Sequence, residues 1–212
     1  MPRSAEGVFI NVPFDRQYQK LFHALVFTVH ECGFVARCAL EGDDGSEFRM
    51  EKLYNIIRDC PLGIHDLSRV TLDSANRLPR FNMPLELGIF LGAKRYGNPS
   101  QRKKSCLILE RERFRYQKFC SDLSGQDIRG HANNVATAII AARNWLRAAR
   151  SQLDMPGGDA IAKRYYTFRV AFPRMCDEQQ VDRSSPPFLD YRMLVIGWRQ
   201  ENQVSRKRSN QR

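Results

Sequence analysis

The sequence lacks an apolar run of membrane-spanning length. Its longest apolar stretch, residues 21–29 (LFHALVFTV), is interrupted by His23 and Thr28 and falls well short of the ~20 residues that a spanning helix requires. We therefore expect no membrane span. The first ten residues mix acidic and basic side chains and lack an apolar region with a cleavage site, so we also expect no signal peptide and a cytoplasmic location.

Metal-binding and disulfide patterns are also missing. None of the six cysteines forms a C-x-x-C pair, and the four histidines show no metal-ligand spacing. Zinc sites and disulfide frameworks are therefore not expected, and free thiols buried in a reducing compartment are the simpler interpretation. We predict no metal site.

Acidic residues are scarce relative to basic ones. The chain has 34 Lys and Arg against 23 Asp and Glu, a net charge of +11. Nine Lys or Arg and two Glu lie within residues 94–118, and the segment 205–212 (SRKRSNQR) holds four more basic residues. This balance favours polyanionic partners such as nucleotides or nucleic acid. A solvated basic face with a disordered tail is the simpler alternative.

Buried strands and amphipathic helices alternate along the first two thirds of the chain. Strands are predicted at 8–12, 34–40, 60–68 and 104–110, with a loop or short edge strand at 125–131. Helices are predicted at 15–33, 48–59, 83–95, 114–123 and 133–150. This alternation is typical of βαβ units. We predict an α/β fold of flavodoxin-like type: an open parallel sheet of about five strands with helices on both faces.

The character of the sequence changes after Pro156-Gly157-Gly158. Two further helices are predicted there, joined by a Ser-Ser-Pro-Pro loop. We therefore divide the chain into an α/β domain at 1–152, a C-terminal helical extension at 153–204 and a disordered basic tail at 205–212.

Polar residues mark the predicted ligand crevice of such a sheet. In a 2-1-3-4-5 strand order, ligands bind beyond the carboxyl ends of strands one and three. Three segments converge there, and they carry the candidate site residues: Asn11, Phe14 and Asp15 after strand one, Asp66, Ser68 and Arg69 after strand three, and Arg80, Asn82 and Glu86 around the start of the next helix.

Several of these residues also have a structural interpretation. Asp15 and Asn82 are each suited to cap a helix, and Asp66 is suited to accept hydrogen bonds from loop amides. Glu86 could likewise be a surface residue of the helix, but Leu85, Leu87, Ile89 and Phe90 leave little solvent-facing surface in that first turn. We therefore interpret Glu86 as a functional carboxylate.

These motifs carry a resemblance to a known superfamily. A polar end of strand one, "DLS" after strand three and "N-x-x-x-E-L-G" at the next helix resemble the nucleoside 2-deoxyribosyltransferases and the related Toll/interleukin-1 receptor (TIR) domains of bacterial defence proteins. The resemblance implies that Glu86 acts as the catalytic group at a ribosyl anomeric carbon. It covers about residues 7–150. The transferases usually carry an Asp-Gly-Thr-type element before the glutamate, where this chain has "PRFNMP".

Physical chemistry assigns roles to the surrounding residues. Cleavage of an N-glycosidic bond passes through an oxocarbenium-like centre that a carboxylate stabilises or attacks. Nicotinamide leaves from a pyridinium without protonation, whereas a purine or pyrimidine needs an acid, for which Asp66 or Asp15 is available. Phe14 is placed to stack on the base. Asn11, Asp66 and Ser68 are candidates for binding ribose hydroxyls, and Arg69 or Arg80 for a phosphate.

The resulting hypothesis is cleavage of the N-glycosidic bond of NAD or a related nucleotide, with no cofactor beyond that substrate, and the resemblance implies a role in bacterial defence. One alternative is a nucleotide or deoxynucleoside hydrolase or base-exchange transferase. Another is a non-catalytic nucleotide-sensing or protein-assembly module. A homo-oligomer or a partner protein is expected, and nucleic acid remains a candidate partner for the basic patch.

Overall fold

The computed structural model describes residues 6–42, 44–70 and 80–209. Five strands form its sheet: β1 (Gly7–Asn11), β2 (Val35–Arg37), β3 (Leu62–Asp66), β4 (Ser105–Glu110) and β5 (Ile128–Gly130). The helices among the described residues are α1 (Gln19–Glu31), α2 (Arg49–Asp59), α3 (Asn82–Tyr96), α4 (Val135–Ala149), α5 (Gly158–Gln179) and α6 (Phe188–Ser209).

The strands pair in the order β2-β1-β3-β4-β5, and every pairing is parallel. The predicted flavodoxin-like α/β fold is therefore confirmed. The order reverses at β1, whose neighbours are β2 and β3, so the switch point lies where Asn11 ends β1. None of the helices in the described ranges is both long and apolar enough to cross a membrane.

The helices cover the two faces of the sheet unequally. On one face, α1, α4, α5 and α6 enclose a large core that contains the aromatic residues Phe27, Tyr165, Phe168, Tyr191 and Trp198. On the other face, α2 and α3 enclose smaller clusters around Phe9 and Phe90. The alternation of side chains along β1 produces this division, since Val8 and Ile10 face the large core while Phe9 faces α2 and α3.

Two glycines are required by the fold, one for its positive φ and one for a close approach. Gly33 adopts a φ of 85° immediately after α1, where only glycine reverses the chain cheaply. At Gly63 in β3, a Cβ atom would lie 2.7 Å from Nε2 of His65 and 2.9 Å from the ring of Phe90. The missing side chain therefore lets α3 pack directly on β3.

The C-terminal helices α5 and α6 pack into the same core as α1 and α4. The predicted boundary at residue 152 thus follows the sequence composition, while the core is continuous across it. Of the tail predicted at 205–212, α6 includes the backbone as far as Ser209; residues 210–212 lie outside the described residues.

The helix predicted at 114–123 is wrong. The structure has two single-turn 3₁₀ helices there, Arg115–Lys118 and Ser121–Leu123. Phe114 adopts a left-handed φ of 68° before the first of them. Between the two turns, Phe119 (φ −138°) and Cys120 (φ −147°) leave the helical region, so the segment does not form one continuous α-helix.

Candidate functional site at the carboxyl edge of the sheet

Asn11 links the end of β1 to the start of α3. Its buried side-chain amide donates to the carbonyl of Met83 at 2.9 Å and lies 3.0 Å from Nδ1 of His65. The amide oxygen Oδ1 is buried and has no partner among the described residues. The strand end and the helix start therefore meet at the switch point, with one hydrogen-bond acceptor unused.

Glu86 lies in the first turns of α3 and is only 7% exposed. None of the described hydrogen bonds or ion pairs involves its carboxylate. Burial raises its pKa to about 7, and the nearby charge of Arg49 opposes that shift. Burial of a carboxylate without a direct partner is costly, and a cationic ligand at this position would reduce that cost.

The neighbours of Glu86 differ from those expected from the sequence. Leu87 is buried as predicted, but Leu85 is 54% exposed. The solvent-facing side of this turn is therefore larger than the flanking leucines suggested. An apolar residue at the surface beside a buried carboxylate is the reverse of ordinary helix patterning.

The starts of α2 and α3 carry exposed aromatic residues at the positions of helix caps. Phe48 precedes α2 and is 81% exposed, and Phe81 precedes α3 and is 55% exposed. Neither helix has a side-chain cap, so Asn82 is the first residue of α3 and not its cap.

Arg49, the first residue of α2, is close enough to Glu86 for its charge to lower the pKa of that carboxylate. Two uncapped helix starts therefore lie near the buried carboxylate, and free N–H groups at such starts favour anions.

Asp66 points to the opposite face of the sheet from α3. It shares the orientation of Leu62 and Ile64, which belong to the large core. Tyr18 donates to its Oδ2 at 2.5 Å, and the N–H of Ser68 donates to its Oδ1 at 2.8 Å, with the Ser68 hydroxyl on the same oxygen. The structure therefore brings Asp66 and Ser68 together, but it does not bring either into contact with Glu86.

Asp66 also meets His131, which completes a buried cluster with Tyr18 and Ser68. Nε2 of His131 lies 2.9 Å from Asp66 Oδ2, although its N–H is not aligned on that oxygen. Burial raises the pKa of Asp66, but the interactions with His131, Ser68 and Tyr18 outweigh it and hold that pKa below its usual value. Asp66 is thus an ionised structural acceptor.

Tyr18 and His131 were not among the predicted site residues. His131 directly follows β5 and therefore lies at the same carboxyl edge as Asp66. That position in a βαβ pattern was the available signal for His131. Tyr18 carried no signal of its own, because an aromatic residue just before a helix is ordinarily a packing residue.

Glu110 and Arg115 form a second buried pair at this edge. Arg115 donates to Glu110 Oε1 at 2.9 and 3.1 Å and to the carbonyl of Ser68 at 2.6 Å. Burial raises the pKa of Glu110, and Arg115 opposes the shift. The pair ties the chain after β4 to the chain after β3 and was also missed from the sequence.

Asp15 and Arg69 are engaged with each other. Oδ1 of Asp15 accepts from the N–H groups of Gln17 and Tyr18, both at 3.0 Å, in the turn that leads into α1. Its Oδ2 accepts from Arg69 Nε at 3.1 Å, and Arg69 also donates to Gln17. Asp15 therefore caps the turn before α1, and its bond to Arg69 connects this turn with the chain after β3.

Phe14 and Arg80 complete the predicted set. Phe14 packs edge-on against Phe22 of α1 and lines a cavity with Ser184 and Ser185. It thus lies on the side of the large core, away from α2 and α3. Arg80 is exposed just before α3. The sequence between the third strand and this helix also predicts a polar loop at 69–81 with Pro79, of which 71–79 lie outside the described residues.

The basic segment 94–118 is less exposed than its charge suggested. Lys104 is 2% exposed and donates to the carbonyls of Ile57 and Cys60, each at 2.5 Å. Arg115 is committed to Glu110. Two of the nine cations of this segment are thus used in contacts within the fold, so fewer of them are exposed to bind a polyanion.

The described residues contain no cluster of three or more His, Cys, Asp or Glu that could hold a metal ion. All six cysteines are free, and four of them are buried. No protein-family model matches the sequence, and no curated protein matches it significantly. The function is therefore inferred from the geometry and chemistry of the site.

Proposed function

We propose that the protein cleaves the N-glycosidic bond of NAD or a related nicotinamide nucleotide, with Glu86 at the anomeric carbon. The observation that carries the proposal is the burial of Glu86 without a partner at the topological switch point. A carboxylate in this position stabilises an oxocarbenium-like centre or forms an ester with it. A substrate with a pyridinium charge would add a cation in direct contact with Glu86, which Arg49 affects only from a distance.

The choice of leaving group follows from the acids around the crevice. Asp66 has a lowered pKa and is held by Tyr18 and Ser68, so it is a poor proton donor. Asp15 accepts from backbone amides and from Arg69. Neither is free to protonate a departing purine or pyrimidine. Nicotinamide leaves as a neutral base from a cation and needs no acid, which favours it over the nucleoside alternatives.

The surroundings of Glu86 offer contacts for the rest of such a substrate. Phe48 and Phe81 present exposed rings at the starts of α2 and α3, where a base can stack. Arg49 and the uncapped amides of both helices suit a phosphate. Asn11 has an unused amide oxygen that suits a ribose hydroxyl. These assignments replace Phe14, Asp66, Ser68 and Arg69, whose contacts lie on the other side of the sheet.

The test is release of nicotinamide from NAD, NADP and nicotinamide mononucleotide, followed by chromatography at several protein concentrations. Glu86→Gln preserves shape and removes the charge, so we expect a loss of ~10²-fold or more. Glu178→Gln, at an exposed side chain of α5 on the opposite face of the sheet, is the matched control and should retain full activity.

The pH dependence adds a second criterion. Because the carboxylate must be ionised, kcat/KM should rise with pH through about 7, the pKa of Glu86. Retained activity in a folded Glu86→Gln variant would exclude Glu86 as the catalytic group. Release of adenine in place of nicotinamide would contradict the proposed leaving group.

A further inference from the structure

A cavity lies among the helices on the opposite face of the sheet from Glu86. It has a volume of about 210 Å³ and lies between the first turn of α1, the middle of α5 and the start of α6. Its described lining residues are Gln19, Lys20, His23, Arg169, Phe172, Pro173, Arg183 and Tyr191. That volume corresponds to about seven water molecules, so the cavity suits a small molecule and is too small for a dinucleotide.

The charges around this cavity have one sign. Lys20, Arg169 and Arg183 line it, and none of its described lining residues is acidic. No ion pair within the described ranges engages any of the three cations. Like charges held at one cavity repel one another in the empty protein, and a bound anion removes that cost.

The floor of the cavity is aromatic and carries one unsatisfied polar group. The ring of His23 stacks on that of Tyr191, with centroids 3.8 Å apart and planes 12° apart. His23 is 8% exposed, and its ring nitrogens have no hydrogen-bond partner in the described chain. Burial lowers its pKa to about 4, so near neutral pH the ring offers one donor and one acceptor.

The wall formed by α5 is shaped by Pro173. A proline inside a helix cannot donate to the carbonyl four residues earlier, which here is that of Arg169. The side chain of Arg169 lies beside the hydroxyl of Tyr165, and this hydroxyl donates to the carbonyl of Lys20 at 3.2 Å. Tyr165 therefore connects the side chain of Arg169 with the backbone of α1 at Lys20.

We propose that this cavity is a binding site for a small organic oxyanion, a phosphate ester or carboxylate with a planar group. The oxyanion lies among Lys20, Arg169 and Arg183, and the planar group lies against His23 and Phe172. The site is independent of Glu86, since α1, α5 and α6 cover the opposite face of the sheet from α3. Its ligand is thus distinct from the proposed nucleotide substrate.

The test uses phenyl phosphate as the probe, with the full-length chain titrated calorimetrically at physiological ionic strength. We expect saturable 1:1 binding that Arg169→Gln weakens about tenfold or more, as for loss of a charge-assisted hydrogen bond. Arg174→Gln is the matched control. It removes the same charge from α5 at a residue that pairs with Glu178 outside the cavity, and it should leave affinity unchanged.

A second variant tests the floor of the cavity. His23→Phe keeps the stacked ring and removes both nitrogens, so it should weaken binding while thermal unfolding stays cooperative. Equal losses in Arg174→Gln and Arg169→Gln would show that the probe responds only to net charge and would overturn the proposal. Absence of saturable binding to the wild-type protein would overturn it as well. Nicotinamide release by Glu86 enters none of these measurements, so the two proposals fail separately.

Discussion

Two buried carboxylates at the carboxyl edge, on opposite faces of the sheet, have opposite surroundings. On the face of α1, α4, α5 and α6, Asp66 receives hydrogen bonds from Tyr18 and Ser68 and contacts His131. On the face of α2 and α3, Glu86 is buried without a described partner, and Asn11 retains an unused oxygen. The first arrangement is that of a stable core, and the second is that of a site awaiting a ligand.

The helix starts near Glu86 also differ from the start of α4. Asn134 caps α4 by accepting from the N–H of Thr137 at 3.0 Å, whereas α2 and α3 begin after exposed phenylalanines. Polar atoms left unsatisfied and apolar rings left in water both reduce stability. Both features occur together around Glu86, which is typical of a surface organised for binding.

The largest effect is expected at the satisfied carboxylate. Asp66→Ala removes the common acceptor of Tyr18 and Ser68 and leaves buried donors unpaired. The free energy of unfolding should fall by about 3–5 kcal/mol, measured by urea denaturation. Asp127→Ala, at a side chain that is 84% exposed, is the control and should change it little. A small effect of Asp66→Ala would mean that the hydrogen bonds to Asp66 do not stabilise the fold, and the contrast with Glu86 would fail.

Glu86→Gln should instead increase the free energy of unfolding. The pKa of Glu86 rises from 4.5 to about 7 on folding. The protonated side chain therefore leaves the protein fully stable below pH 4.5, and stability is lost as the pH rises through 7 and the buried carboxylate ionises. Relative to wild type, the variant should therefore gain roughly 3 kcal/mol above pH 7 and much less at pH 5. Denaturation curves at the two pH values measure this difference. Equal effects at both would show that Glu86 is not a desolvated carboxylate.

Removal of the cap on the stable face should have a moderate effect. Asn134→Ala deletes the side-chain acceptor of Thr137 N–H at the start of α4, and a loss of about 1 kcal/mol is expected. Thermal unfolding monitored by circular dichroism provides the measurement. Asn134→Ser restores a capping oxygen and should recover most of the loss.

Introduction of a cap on the other face should have the smallest effect. Phe48 already has the extended backbone of a cap residue, with φ −63° and ψ 125°, so Phe48→Ser should stabilise α2 by about 0.5 kcal/mol. If Phe48 stacks on a substrate base, the same variant should raise KM for NAD. A more stable variant with an unchanged KM would contradict the role of Phe48 in the site.

The site was only partly predictable from the sequence. Glu86 was identified because a carboxylate between two leucines conflicts with helix patterning, and its burial is as anticipated. Its catalytic role stays a prediction. Asp66 was grouped with Glu86 because both follow the carboxyl ends of the sheet. Alternate residues of a strand point to opposite faces of the sheet, so a shared edge does not bring the side chains of Asp66 and Glu86 together.

Local sequence determined the elements and their order. Apolar runs of strand length alternate with stripes of helical spacing, and these periodicities depend only on near neighbours along the chain, so the parallel sheet followed from them. Tertiary structure decided the partners of each side chain. Tyr18, Asp66 and His131 are far apart in sequence and meet only because the strand order β2-β1-β3-β4-β5 aligns their carboxyl ends. Whether a buried carboxylate is satisfied, as Asp66 is, or left without a partner, as Glu86 is, depends on such distant contacts, which local patterns do not encode.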